Sequence, residues 1–273
     1  MGCDARRKKN GFWATSFKTS IHKEIAKVEQ AMGDAPVANT PLIVNDHPEE
    51  DNSTPLNDLG LHHYQMTIGC LNSIVTLGRM DIGCATISSS RFSARPREGH
   101  LAIVLRIVGC LKKRPNLEIV CDRTDTHQTN GSRTANRKEL MLLYPDSVEE
   151  VDSGLPILKH KASPLSTCYE DDLAHDRVTK RSIGGVLGMA GKTIIVHKSK
   201  MYASVETPTY GAELNAGRVG IENVQEMRRM LRSLGVEVDR PKNIMVKISQ
   251  CVNLVPMRTP NVKAGIPVCP TIK

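Results

Sequence analysis

The chain of 273 residues can bury one large or two modest cores, carries a net charge of +8, and is only 3% aromatic. The positive balance favours a polyanionic partner, while the shortage of aromatics excludes a base-stacking platform and leaves the cores to Val, Ile, Leu and Met. With no run of eighteen apolar residues and no signal-peptide core, the expectation is a cytoplasmic or nuclear protein without a membrane partner.

The eight cysteines are scattered, with no Cys-x-x-Cys pair, which points to free thiols in a reducing compartment. Residues 1–15 read as a loose basic arm around Arg6-Arg7-Lys8-Lys9. A helix follows over Thr19–Met32, with Ile21, Ile25, Val28 and Met32 at helical spacing and Gly33 as its stop. Four prolines punctuate 34–60 and mark an irregular connection. Three helices then succeed one another over 63–77, 80–92 and 98–113. The last has Leu101, Val104, Ile107, Val108 and Leu111 on one face and is closed by Pro115.

Arg91, Arg95, Arg97, Arg106, Lys112 and Lys113 cluster on these last helices. Such a cluster fits a grip on nucleic-acid phosphates and fits a solvated face equally well. His100, near a helix start, is read as a cap or packing residue. Residues 121–165 lack periodicity and read as a linker with one short helix at Arg137–Leu143.

An acidic cluster, Glu170, Asp171 and Asp172, opens the next stretch. Two apolar runs, Ile183–Met189 and Thr193–Lys198, flank the turn at Ala190-Gly191. A helix from Glu213 to Leu234 carries the stripe Leu214, Ile221, Val224, Met227, Leu231 and Leu234, and a short strand is expected at Ile244–Ile248. The order strand, strand, strand, helix, strand predicts an antiparallel meander, with the last strand returned parallel to the first. Residues 251–273 form an irregular tail.

Two blocks carry a resemblance. In 64–113 the succession runs from Tyr64-Gln65 through Gly78-Arg79, Asp81-Ile82, Ser90-Arg91-Phe92, Pro96 and Gly99-His100 to Leu111-Lys112-Lys113. In 169–235 the acidic segment Glu170–Asp176 precedes Arg181-Ser182, Gly185, Lys198-Ser199-Lys200, Val205–Glu213 and Arg228–Val236. The ordered series resembles the Pol polyprotein of copia-type retrotransposons, at the end of reverse transcriptase and the ribonuclease H that follows.

The resemblance implies an α/β (α+β) chain. A helical, thumb-like reverse-transcriptase block over 16–120 would be followed by a ribonuclease H-like βββαβ mixed-sheet domain over 166–250. Tyr169-Glu170-Asp171-Asp172 is spelled like a polymerase Tyr-x-Asp-Asp motif, but it follows the helical block where that motif should precede it, so no polymerase palm site is expected.

In that family an Asp on the first strand, a Glu on the helix and an Asp ending the later strand bind two Mg²⁺ and cleave the RNA strand of a hybrid. The resemblance assigns Glu170 to the first place, Asp172 as a second acid of the segment, and Glu213 to the helix, with Glu170 and Glu213 as metal ligands. The last place holds Lys247 or Ile248. A lysine about 4 Å from a divalent ion costs on the order of 8 kcal/mol at an effective dielectric of about 20. The expectation is therefore a catalytically inactive fragment with weak affinity for RNA·DNA hybrid or duplex nucleic acid. The alternative is an active ribonuclease H using Mg²⁺ or Mn²⁺. Either reading requires Glu170 and Glu213 at one edge of the sheet, and opposite faces for the two would overturn the ribonuclease H assignment.

Overall fold

The architecture follows from where helical and alternating apolar patterns meet. The computed structural model describes residues 3–43, 47–122, 154–157, 160–163, 165–207, 209–238 and 243–245. The helix expected at Arg137–Leu143, most of the expected linker, the tail 251–273, and both Lys247 and Ile248 lie outside the described residues.

Four helices make the first unit: α1 (Lys18–Met32), α2 (Asp58–Leu77), α3 (Gly83–Ser90) and α4 (Glu98–Lys113). α1 buries Ile21, Ile25 and Val28, and α4 buries Val104, Ile107, Val108 and Leu111, as their spacing predicts. These residues join Tyr64, Leu71 and Ile74 of α2 in one apolar cluster. α2 starts ahead of the predicted 63, because the Asn57 side chain accepts the Gly60 N–H at 2.8 Å and so caps its first turn. It ends at Gly78, whose φ of +127° favours glycine and where a β-carbon would press on Ile119 and Phe17. The helix expected over 80–92 is split into a 3₁₀ turn, Met80–Ile82, and the short α3.

His100 is nearly fully buried. Its Nδ1 accepts from the Arg97 backbone N–H, and its Nε2 donates to the Pro48 carbonyl at 2.8 Å. It closes the first turn of α4, the capping role read from its position.

The basic arm is a correction. Asp4–Arg7 (β1) and Trp13–Ser16 (β2) form a hairpin, and β2 pairs antiparallel with Glu118–Cys121 (β3). The charges that suggested a solvated arm are the reason it is ordered. Glu118 is 6% exposed and meets both Arg6 and Lys8, the latter at 3.0 Å, so the buried carboxylate is compensated.

The second unit holds His160–Ser163 (β4), Leu165–Asp172 (β5), Ile183–Ala190 (β6), Thr193–Met201 (β7), helix α5 (Thr209–Ser233), Val236–Val238 (β8) and Asn243–Met245 (β9). The main sheet has the order β7-β6-β5-β9. β5, β6 and β7 are antiparallel neighbours, and β9 runs parallel to β5. β4 and β8 form a separate parallel pair inside and beyond the expected linker boundary. The chain is thus α+β, with a helical unit followed by a mixed sheet crossed by one long helix.

α5 lays Ala212, Ala216, Gly220, Asn223, Val224 and Met227 on the sheet, and of the expected stripe Val224 and Met227 are buried while Leu214, Ile221 and Leu234 are exposed. Close approach needs small residues below it: a β-carbon at Gly188 would collide with Met227 and Asn223. On the opposite face Cys168, Met189 and Ile194 pack with Leu187 and with Met80 of the helical unit. The Asp122 backbone N–H donates to Thr193 Oγ1 at 2.8 Å, so the helical unit is tied to the start of β7. Cys3, Cys70, Cys84, Cys110 and Cys121 are free thiols as expected, whereas Cys168 is disulfide-bonded. Among the described residues no helix is long and apolar enough to cross a membrane.

Candidate acidic site

Alternation along β5 decides which acids meet. The Tyr169 ring lies under α5, its hydroxyl 3.2 Å from where a β-carbon of Gly217 would stand, and Thr167 sits beneath Gly220. Successive strand side chains point to opposite faces. Thr167, Tyr169 and Asp171 therefore face α5, while Ser166, Cys168, Glu170 and Asp172 face the side that meets the helical unit. Glu170 and Glu213 do not share a face, so the requirement fails and the ribonuclease H assignment made through Glu170 is overturned. Asp171 stands beside Glu213 in its place. The resemblance places the first-strand acid at Glu170 from the spelling of the acidic segment alone. The aromatic at 169, which needs a covered face, was the signal that would have selected Asp171.

Asp171 carries an unusual load for a surface acid. Burial, then the neighbouring charges of Asp172, Glu213 and Glu206, raise its carboxyl to about 6, and the Ser182 hydroxyl works in the opposite direction. Neither Asp171 oxygen has a well-formed hydrogen bond, and neither does Oε2 of Glu213, although all three atoms are buried. The phenol of Tyr202 is pushed up to about 12 by its burial and by Asp171. It lies over Gly184, where any side chain would strike its hydroxyl. Asp172 is about half exposed and meets His175 Nδ1 at 2.8 Å. Glu206 accepts from the Asn215 amide at 2.9 Å.

This corner collects negative charge, but it is not a closed cage. Among the described residues no three His, Cys, Asp or Glu side chains converge as a metal site. Asp171 and Glu213 supply two carboxylates with unpartnered oxygens, so the residues present fit a divalent cation only in part.

The six expected phosphate-gripping bases are largely engaged within the chain. Arg91 pairs with the buried Asp176 of the second unit. Arg97 donates to the Ser53 carbonyl and Arg106 to Thr40 Oγ1 at 3.0 Å. Lys112 meets Glu29 and Asp34, and Lys113 meets Asn39. Arg95 is exposed. Sequence reasoning could not see these pairings, because their partners lie tens of residues away.

No family model, curated protein or solved structure matches the chain.

Proposed function

We propose that the chain is a fragment of a copia-type Pol polyprotein, from its reverse transcriptase/ribonuclease H region, without catalytic activity and with at most a weak hold on RNA·DNA hybrid or duplex. The observation that carries this reading is the sheet order β7-β6-β5-β9, with α5 between β7 and β9 in the chain and an acid on β5 beside Glu213 of the helix. It is the arrangement that the resemblance implies for a ribonuclease H-like βββαβ domain only with Asp171 in the first-strand place; through Glu170, which faces the other side of the sheet, the assignment fails. The helical unit stands in the place of the thumb-like block.

Loss of catalysis is supported by the acids. Glu170 and Asp172 point away from Glu213, and in the sequence the last place of the family's pattern falls on Lys247 or Ile248, neither of which can bind a metal. Weak binding is supported by the engagement of Arg91, Arg97, Arg106, Lys112 and Lys113 in internal contacts, which leaves few of them to release counterions from a phosphate backbone.

A second reading, an active ribonuclease H using Mg²⁺ or Mn²⁺, is favoured by one observation: the unpartnered oxygens of Asp171 and Glu213 suit a divalent cation. Incubating the purified protein with a labelled RNA·DNA hybrid across Mg²⁺ and Mn²⁺ concentrations separates the two. The fragment reading expects no cleavage by folded protein. Metal-dependent cleavage that disappears in Glu213→Gln and in Asp171→Asn overturns it in favour of the enzyme.

A further inference from the structure

The turn after β5 joins the acidic corner to the helical unit. Asp176 at its centre is fully buried. Its Oδ1 accepts the backbone N–H groups of Val178 at 2.9 Å and Thr179 at 2.6 Å, and its Oδ2 is gripped by Arg91 of the helical unit. Two further bonds close the turn: Asp176 N–H to the Arg181 carbonyl at 3.1 Å and Lys180 N–H to the Asp176 carbonyl at 2.8 Å. Ala174 and Lys180 both have positive φ, at 51° and 58°, which side chains other than glycine rarely adopt. Such a shape persists only where its surroundings impose it.

The same turn is fastened to the corner. The Ala174 N–H donates to Ser182 Oγ at 3.2 Å, and His175 holds Asp172. A second tether to the helical unit, from the Arg177 N–H to Glu49 Oε1 at 2.8 Å and from its guanidinium to Glu50 at 3.4 Å, is more exposed.

We infer that Arg91 is a positioning residue for the acidic corner: by neutralising Asp176 across the two units, it holds the turn 173–182 and the end of β5 that carries Asp171 and Asp172. Without the guanidinium, a buried carboxylate has only two backbone donors, and the turn must open to hydrate it. The helical unit thereby conditions the geometry of a corner to which it contributes no acid. This holds whatever the corner binds.

The test is amide hydrogen exchange on the full chain with Arg91→Met, Arg91→Lys and the double variant Arg91→Met/Asp176→Asn. In Arg91→Met the amides of Val178, Thr179 and Lys180 and those at the end of β5 should exchange at least about tenfold faster, with α4 unchanged. Arg91→Lys should restore most of the protection. The double variant should do the same, because its neutral side-chain amide keeps the two backbone bonds without a buried charge. Unchanged exchange in the turn overturns the inference. So does equal acceleration in α4, β6 and the turn, or a double variant no better protected than Arg91→Met.

Discussion

Replacing Asp171 by Asn should stabilise the protein at neutral pH. The carboxyl is raised from an ordinary 3.8 to about 6 because its charged form is half-buried among other acids. For an acid raised in the folded state, the charged form is the costly one. The stabilising share is fully present below about pH 4, where the group is neutral folded or unfolded, and is lost as pH rises through about 6. The full difference between 3.8 and about 6 corresponds to about 3 kcal/mol. Asp171 lies near the surface with intermediate exposure as a residue, and solvent screening brings the effective value to about 1–2 kcal/mol. Asn keeps the shape and removes the charge. Urea unfolding of wild type and Asp171→Asn at pH 4 and pH 7.5 reads the difference directly. The variant should gain about 1–2 kcal/mol at pH 7.5, and the gain should shrink toward zero at pH 4. A variant less stable than wild type at pH 7.5, or a difference independent of pH, refutes the account of the corner as a site of uncompensated charge.

Two further substitutions test the packing that positions the corner. Leu111 of α4 is fully buried in the helical core, so Leu111→Ala should cost about 2–5 kcal/mol in chemical denaturation, and a loss below about 1 kcal/mol would mean α4 is not packed as described. Gly188→Ala places a methyl group where Met227 and Asn223 lie and should cost about 1–3 kcal/mol through overpacking, measured as a fall in the urea midpoint with unchanged slope.

The legible parts of the fold were those whose partners are implied by local periodicity. α1 and α4 announce themselves by apolar spacing, and the β6–β7 hairpin by two apolar runs around Ala190-Gly191; α5 was legible as a helix, but its buried face was not, because Ala212, Ala216 and Gly220 meet the sheet while Leu214, Ile221 and Leu234 are exposed. The illegible parts depend on distant residues. β1 and β2 are short, and their order comes from Glu118, far downstream, which turns apparent surface charges into partners of a buried acid. β4 and β8 are too short to carry a period, and they pair across the whole of the main sheet's antiparallel meander. In the corner, Glu213 was legible as the acid near a helix start. Asp171 was not, because a run of three acids gives no preference until Tyr169 is known to face α5. The basic cluster misled for a related reason: composition counts charges, whereas Asp34, Asn39, Ser53 and Asp176 decide whether those charges are free.

The tie between Asp122 and Thr193, together with the apolar contact of Met80 with Cys168, Met189 and Ile194, makes the two halves each other's missing surface. Divided at the boundary that composition suggests, the sheet piece would expose Cys168, Met189 and Ile194, and the helical piece Met80. Pieces expressed separately would then be poorly soluble alone and would recover by split complementation when mixed.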